Sequence, residues 1–366
     1  MPLTLHGIGT AVPTQSLSQA EALEVAHRIN AESPEQARLM DRIYQKTKVL
    51  NRGSVLLGKE ADGGMNRKRL SFYGTESPGT EERMQAFGEH AGQLALQAAR
   101  EALNDSGFRP SAITHLVTVS CTGFQSPGVD LFLIDKLGLS AAVQRTHVGF
   151  MGCHGALNGL RVAHAFAEMD PSSVVLLCAV ELCSLHMSYG WHPEQVVANA
   201  LFADGAAAVV GSAGPPRSDR DLVLQGSGSM VIPDSADLMH WEIGDHGFSM
   251  GLSPLVPATV GAALLPWLQD WLQTRAVDLS EIRSWAVHPG GPKILSTCAE
   301  ALGLDPELLD DSRVVLQDHG NMSSATILFI LERLRRRSVA GPCLALAFGP
   351  GPVSYTHLTL PTKQMV

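Results

Sequence analysis

The residue best placed to do chemistry is Cys153, which lies in the run Thr146–Glu168 among several glycines. Residues 146–150 have the pattern of a strand, and an amphipathic helix is predicted from Ala156. Glycine permits a tight turn between them and close approach of a substrate. A thiol at a helix N-terminus has a lowered pKa, so we expect a nucleophilic thiolate at neutral pH. The alternative is a buried structural cysteine in a glycine-rich turn.

Two further polar residues occupy comparable positions. His288 follows the predicted strand Ser284–Val287, and Asn321 precedes a predicted amphipathic helix. Ends of strands in α/β folds present side chains to a ligand crevice, so His288 is placed like a functional residue. By itself it could equally be a hydrogen-bonded surface histidine. Asn321 could be a catalytic amide or an N-cap, and its local pattern does not decide between them.

A Cys, His and Asn in this order also occur in papain-like proteases, where the His and Asn follow the Cys at a similar distance. Those enzymes carry the Cys near the mature N-terminus in a CGSCW-like motif. Here Cys153 lies in GFMGCHGAL after a long α/β pattern. A cysteine protease is therefore disfavoured, and an acyl-transfer enzyme is favoured.

The elements that must position these residues alternate between strands and helices, as in α/β proteins. A helix is predicted over 81–103 and a strand over 113–120, and the same order recurs with a helix over 260–275 and a strand over 284–287. Each strand ends in a polar turn. This repetition indicates an internal duplication. The segment Ser212–Asp221, rich in Pro and Gly, is predicted to join the halves.

Composition restricts the class of protein further. The 366 residues are 45% hydrophobic and 17% charged, with a net charge of -9, so a large core is expected and a nucleic-acid partner is not. Apolar runs are too short to span a membrane, and no signal peptide is apparent. The six cysteines then read as reduced thiols of a cytoplasmic protein. No cluster of His and Cys has the spacing of a metal site.

Four motifs in order resemble those of type III polyketide synthases, the relatives of chalcone and stilbene synthases: GFMGCHGALNGLRVA, WAVHPGGPKIL, GNMSSATILFIL and FGPG. The resemblance extends from HGIGTAVP to about Val353. It implies a thiolase-like layered αβαβα fold of two duplicated halves, over residues 1–213 and 221–353, in a homodimer. It also implies that Cys153 accepts an acyl group from a CoA thioester. His288 and Asn321 would bind the carbonyl and stabilise the enolate formed from malonyl-CoA, with no metal or organic cofactor.

The resemblance also assigns a substrate cavity. Phe202 and Phe248 match the two gatekeeper phenylalanines of the family, and three residues match a loop that shapes the site. Other positions match cavity walls that vary within the family. These loop and wall residues are Cys121, Thr122, Cys183, His186, Met239, Ser323, Gly349, Pro350 and Gly351.

A basic segment in this acidic chain suits the phosphates of CoA. It contains Arg38, Arg42, Lys46, Lys48 and Arg52. Lys48 and Arg52 are predicted to bind CoA, although a solvated helix face would have the same pattern.

The chain departs from the family after FGPG. Residues 354–366 lack the family's usual final strand with a Glu and resemble a non-native tail.

Alternatives remain at this point. A β-ketoacyl-carrier-protein synthase III has the same three residues but condenses once on a carrier protein, and HPGGPKIL and GNMSSA fit the polyketide synthases better. A thiol hydrolase and a non-catalytic scaffold are less consistent with all three reactive residues. The starter is predicted to be malonyl-CoA, giving an aromatic like tetrahydroxynaphthalene, or a fatty acyl-CoA, giving an alkylpyrone or alkylresorcinol. The sequence does not choose between them.

Overall fold

The computed structural model describes residues 2–57, 72–338, 341–351 and, for the backbone, 353–361. Strands account for most of the centre of the molecule. In chain order they are β1 Thr4–Ala11, β2 Ser16–Ser18, β3 Asn51–Gly53, β4 His115–Ser120, β5 Gln144–Gly149, β6 Val174–Leu182, β7 Asp204–Ser212, β8 Leu222–Val231, β9 Met239–Gly244, β10 Gly247–Leu252, β11 Ser284–Val287, β12 Cys343–Gly349 and β13 Val353–Pro361.

Helices separate these strands. They are α1 Gln19–Asn30, α2 Pro34–Lys46, α3 Thr80–Ser106, α4 Val129–Leu137, α5 Gly155–Met169, α6 Pro193–Leu201, α7 Val256–Gln273, α8 Pro292–Leu302, α9 Asp310–His319 and α10 Thr326–Arg336. Within the described ranges, none combines the length and the apolar character that crossing a bilayer requires.

Nine strands form one mixed sheet in the order β11-β12-β13-β8-β1-β7-β6-β4-β5. The sheet has two wings, which meet where β1 pairs with β8 over two residues only, at Thr4 and Leu5. In one wing β4 is parallel to β6, which is antiparallel to β7, and β7 is antiparallel to β1. In the other wing β11, β12, β13 and β8 repeat the same sequence of pairings. The duplication predicted from the sequence is therefore present in the strand pairing.

Two helices, α5 and α10, lie in the middle of the molecule, because their side chains share a buried cluster with strands of both wings. Helix α3 covers the outer face of the first wing, and α7 and α8 cover the second. These are five layers, αβαβα. The close packing of α3 depends on Gly7 and Gly9 in β1, where a Cβ would lie 2.4 Å from Ala102 O and 2.2 Å from Ala98 O.

Most predicted boundaries agree with the structure to within a few residues. The clearest difference is α10, which was expected to be amphipathic. Every residue from Thr326 to Leu331 is buried, because the helix lies between the two wings and not at the surface. The predicted linker Ser212–Asp221 joins the end of β7 to the start of β8. In the supposed tail, the backbone of Val353–Pro361 forms a strand between β12 and β8, and residues 362–366 lie outside the described part.

Candidate active site

Cys153 lies in a turn that requires glycine at position 152. After β5 ends at Gly149, the backbone has positive φ at Phe150 and Gly152, and a 3-10 turn of residues 152–154 leads into α5. A Cβ at Gly152 would lie 2.2 Å from Cδ of Pro350, so this position has no room for a side chain. The strand-turn-helix arrangement predicted from the sequence is confirmed. It places the Cys153 thiol in the wall of a cavity.

The pKa of Cys153 differs from the prediction, which was a lowered pKa and a thiolate at neutral pH. Burial raises the pKa of Cys153 to about 12, although the polar side chains of Ser323 and Asn321 lower it. The charge of Glu181 adds to the increase. The imidazoles of His154 and His288 have lowered pKa values, so neither supplies a positive charge at neutral pH that would oppose the effect of burial. At neutral pH this favours the protonated thiol as the resting form of Cys153.

His288 lies at the end of β11, as predicted, where its backbone N donates to Leu346 O at 2.8 Å. The side chain is only 1% exposed. Burial, reinforced by the charge of His154, lowers the pKa of His288 to about 3. Neither ring nitrogen has a hydrogen-bond partner among the described residues. A neutral imidazole with one N–H donor is thus held ready beside the turn that carries the thiol.

Asn321 is held in place both by its backbone and by its side chain. Its backbone forms an isolated parallel bridge with Phe202. Its side-chain Oδ1 accepts from Ser323 N at 2.9 Å, which starts the 3-10 turn before α10. The oxygen therefore has a structural part in this turn, while the N-cap positions of the turn and of α10 are Met322 and Ala325. Nδ2 is buried and makes no hydrogen bond of ordinary geometry with the described residues.

The end of β12 brings the second wing onto the nucleophile turn. At Gly349 a Cβ would lie 1.9 Å from Nδ1 of His154, so β12 can meet this turn only with glycine there. Two residues on, Gly351 N donates to Met239 O at 2.9 Å. The segment 349–351 thus links Cys153 to the opposite wall of the cavity, which fits the site-shaping loop predicted for it.

The cavity has a volume of about 60 Å³. Most of the residues predicted to contact substrate line it together with the nucleophile. They are Cys121, Thr122, Cys183, His186, Phe202, Met239, Phe248, Ser323 and Pro350.

Sequence reasoning missed several lining residues, notably Trp241 and Met250. A signal for both was present. Met239 and Trp241 are two residues apart on β9, and Phe248 and Met250 are two apart on β10. Residues two apart on a strand share a face. Once Met239 and Phe248 had been assigned to the cavity, the strand period pointed to the other two.

Glu181 was also missed. It is fully buried in β6 and accepts hydrogen bonds from Cys121 N at 3.0 Å, from Thr122 Oγ1 at 2.8 Å and from the Ser324 hydroxyl. Burial raises the pKa of Glu181 to about 7. An acidic residue inside the apolar run VVLLCAVEL was the signal. The carboxyl group fixes the segments on either side of the nucleophile turn.

The basic residues of the predicted CoA-binding segment differ in their exposure to solvent. Lys48 is exposed, as are Arg38, Arg42 and Lys46. Arg52, in contrast, is 2% exposed and lies in the cavity wall, so its predicted place on a basic surface is wrong. Its guanidinium turns inward because it donates to the carbonyls of Asn199 at 2.5 Å and Phe202 at 3.1 Å, at the end of α6.

A five-layer fold with a cysteine at a strand-helix turn, a buried amide against that cysteine and a buried imidazole close to the turn is the arrangement of a thiolase-like condensing enzyme. The chain belongs to the chalcone and stilbene synthase family: the N-terminal domain model of that family matches residues 2–215 and the C-terminal domain model matches residues 223–358. It is thus a type III polyketide synthase, and the carrier-protein alternative is set aside.

Relatives agree with this assignment. The chain is 30% identical over 354 residues to the alpha-pyrone synthesis polyketide synthase-like Pks18 of Mycobacterium tuberculosis, covering 95% of this chain and 88% of that protein. It is 33% identical to type III polyketide synthase C of Arabidopsis thaliana, covering 95% and 92%. The crystal structure of the C-terminal type III polyketide synthase domain of Steely1 from Dictyostelium superposes with a TM-score of 0.89 at 29% identity, covering 99% of each chain. The predicted fold is confirmed.

Proposed function

We propose that Cys153 is loaded with an acyl group from a CoA thioester and that His288 and Asn321 drive its extension by malonyl-CoA. The observation that carries this proposal is a pair of buried side chains with donors that lack ordinary hydrogen bonds: the Asn321 amide lies against the Cys153 thiol, and the His288 ring lies close to His154 in the same turn. Leaving a buried polar group without a partner costs about 1–3 kcal/mol. Such groups persist where a ligand completes them, and a thioester carbonyl oxygen is a suitable acceptor.

Loading begins when the Cys153 thiol gives its proton to the His288 imidazole. The sulfur then attacks the thioester carbon, the bond from that carbon to the CoA sulfur breaks, and CoA leaves with the proton. This step forms a thiolate and an imidazolium, which attract each other. The neutral thiol and imidazole of the resting site have no such attraction. This attraction offsets the cost of charging two buried groups.

Extension uses the same donors. The bond between the malonyl methylene and its carboxylate breaks, CO₂ leaves, and the electron pair becomes an enolate on the remaining thioester. Hydrogen bonds from the His288 ring and from Asn321 Nδ2 would stabilise its oxygen. The enolate carbon attacks the acyl carbon on Cys153, and the bond to sulfur breaks. The product is a β-ketoacyl-CoA, which reloads for further extension and finally cyclises to an aromatic or pyrone.

The proposal also covers CoA binding, the oligomeric state and the location of the protein. The exposed cations around Lys48 would bind the CoA phosphates, and the chemistry needs no metal or organic cofactor. A homodimer is supported by large apolar side chains at the surface, with Phe124 52% and Leu131 41% exposed. A cytoplasmic location fits six free cysteines.

The test is incubation with labelled malonyl-CoA and a panel of acyl-CoA starters, without a carrier protein. We expect CO₂ release, an acyl mass increase on the intact chain, and a cyclised product. Cys153→Ala should lose the mass increase, while Cys298→Ala, a buried cysteine of α8, should keep it. An equal mass increase on Cys153→Ala, or CO₂ release that depends on an added carrier protein, would contradict the proposal.

A further inference from the structure

One buried residue of the candidate site has a strained backbone. Among the residues that the structure describes, six other than glycine have positive φ, and five of these are exposed. The exception is Ser323, which has a φ of 47° and is only 5% exposed. A residue with a Cβ is disfavoured in this region, and the strain persists only where the surrounding structure holds it. Strained residues of this kind cluster at active sites.

Hydrogen bonds on both sides of Ser323 hold this conformation. Its backbone N donates to Oδ1 of Asn321 at 2.9 Å. Met322 N donates to Thr326 Oγ1 at 2.9 Å, and the Ser324 hydroxyl donates to the buried carboxyl group of Glu181. The turn is thus fixed before and after Ser323, which lines the cavity together with Cys153.

The Ser323 side chain forms a hydrogen bond with the Cys153 side chain. Burial raises the pKa of Cys153 to about 12, and among the contacts that lower it the one with Ser323 comes first, ahead of Asn321. A hydroxyl can accept from a thiol or donate to a thiolate, whereas a thiolate only accepts. Because hydrogen bonds to charged groups are the stronger ones, this contact should strengthen when the sulfur loses its proton.

The titratable groups around the Cys153 sulfur come from several elements. They are Glu181 on β6, Cys121 after β4, Cys183 after β6, and the imidazole of His154 with that of His288 close to it. Glu181 adds negative charge, and burial lowers the pKa of both imidazoles. Arg52, the cation in the cavity wall, donates to the carbonyls of Asn199 and Phe202. A neutral hydroxyl donor in contact with the sulfur is therefore important to a thiolate formed here.

We propose that Ser323 is a catalytic residue, whose hydroxyl donates to the Cys153 sulfur and stabilises the thiolate that attacks the CoA thioester. The hydroxyl keeps its own proton throughout, and the thiol proton passes to His288. The positive φ at Ser323 directs the hydroxyl at the sulfur. This inference rests on the proposed loading of Cys153, and it gives a chemical role to a residue that the sequence assigned only to the cavity wall.

The test separates the hydroxyl from the backbone by comparing Ser323→Ala with Ser323→Gly. Both variants lose the hydroxyl, but only glycine adopts positive φ without strain. A hydrogen bond to a charged group changes an equilibrium by about tenfold or more. Loading of Cys153 from acetyl-CoA and from dodecanoyl-CoA, measured by intact mass, should therefore slow about tenfold in both variants. Ser323→Gly should nevertheless have a Tm about 1–2 °C above that of Ser323→Ala.

Alkylation of Cys153 by iodoacetamide gives a second readout that needs no acyl-CoA. Without the Ser323 hydroxyl the pKa of Cys153 should rise further, so the thiolate fraction at a given pH should fall about tenfold. The greater nucleophilicity of a more basic thiolate partly offsets this loss, so alkylation should slow about threefold. Decarboxylation of malonyl-CoA should change by less than about twofold, because the backbone N of residue 323 still donates to Asn321.

The matched control is Ser296→Ala on α8, which removes a hydroxyl that donates to Lys293 O and should change neither rate. Alkylation at the wild-type rate in both Ser323 variants would overturn the inference. A loss confined to Ser323→Ala would also overturn it, since the backbone and not the hydroxyl would then be responsible. If no acyl-CoA loads the wild-type chain but alkylation still slows in both variants, the proposed loading fails while the stabilisation of the thiolate by Ser323 stands.

Discussion

The backbone of Asn321 is paired with that of Phe202: Asn321 N donates to Leu201 O and Ala203 N donates to Asn321 O, both at 2.9 Å. One residue proposed to stabilise the enolate and one proposed to gate the cavity are thus parts of a single rigid segment. A shift of either would move the other. A residue that packs behind this bridge would therefore also support the proposed role of Asn321.

Arg52 provides that support. It donates to the Phe202 carbonyl, and a Cβ at Gly320 would lie 3.0 Å from Arg52 Cγ, so it packs directly behind the bridge. We predict that Arg52→Met lowers decarboxylation of malonyl-CoA about tenfold, because a misplacement of about 1 Å can cost on the order of 10²-fold and a smaller shift of Asn321 should cost less. Arg52→Lys should restore part of the rate, and loading of Cys153 should change less than decarboxylation.

The measurement is kcat and KM for malonyl-CoA decarboxylation, with exposed Arg38→Met as control. A positioning role lowers kcat, whereas a role in binding CoA raises KM at constant kcat. A higher KM alone would support the CoA contact predicted from the sequence and contradict the positioning role.

How much of the site the sequence predicts depends on the kind of contact that holds each residue. The positions of Cys153, His288 and Asn321 agree with the prediction because each follows a local pattern, a strand end or a helix start, that the sequence displays. Arg52 was misplaced because charge predicts exposure, and only the folded chain brings the carbonyls at the end of α6 to its guanidinium. Glu181 and Trp241 were missed for a similar reason, since their partners lie about 60 and 120 positions away along the chain.

The pKa of Cys153 was mispredicted for a different reason. The helix N-terminus and the neighbouring histidine were visible in the sequence and predicted a thiolate. Burial was not visible, and it raises the pKa of Cys153 while it lowers that of His288. Desolvation disfavours the charged form of both groups.

Replacing His288 or Asn321 by Ala should reduce CO₂ release from malonyl-CoA by about 10²–10³-fold, the usual effect of removing one donor to a developing oxyanion. The double variant should lose less than the product of the two factors, because groups that act as one unit are not additive. His164→Ala, on the outer part of α5, is the matched control. Full decarboxylation by both single variants would refute the assigned roles.

Alkylation of Cys153 by iodoacetamide should be slow at neutral pH and should increase steadily as pH rises. The thiolate is the reactive form, and burial raises the pKa of Cys153 to about 12, so each added pH unit increases the reactive fraction. Glu181→Gln should speed alkylation above pH 8, since it removes a negative charge that raises this pKa. Site-resolved mass spectrometry gives the rates. A plateau below pH 7 would show instead that the thiol is ionised in the resting site.

The stability of the protein should also depend on Glu181. Burial raises the pKa of this carboxyl from 4.5 to about 7, so the folded chain binds its proton more tightly than the unfolded chain does. The stabilisation from that proton is complete below pH 4.5 and is lost as pH rises through 7. Between pH 6 and 8 the Tm of the wild-type chain should therefore fall more than that of Glu181→Gln, whose amide does not titrate.

Thermal unfolding at both pH values measures the slope of Tm against pH for each chain, with the exposed Glu35→Gln as control. Equal slopes for the wild-type chain and Glu181→Gln would mean that the carboxyl has the same pKa in both states and is already ionised in the folded protein at pH 6.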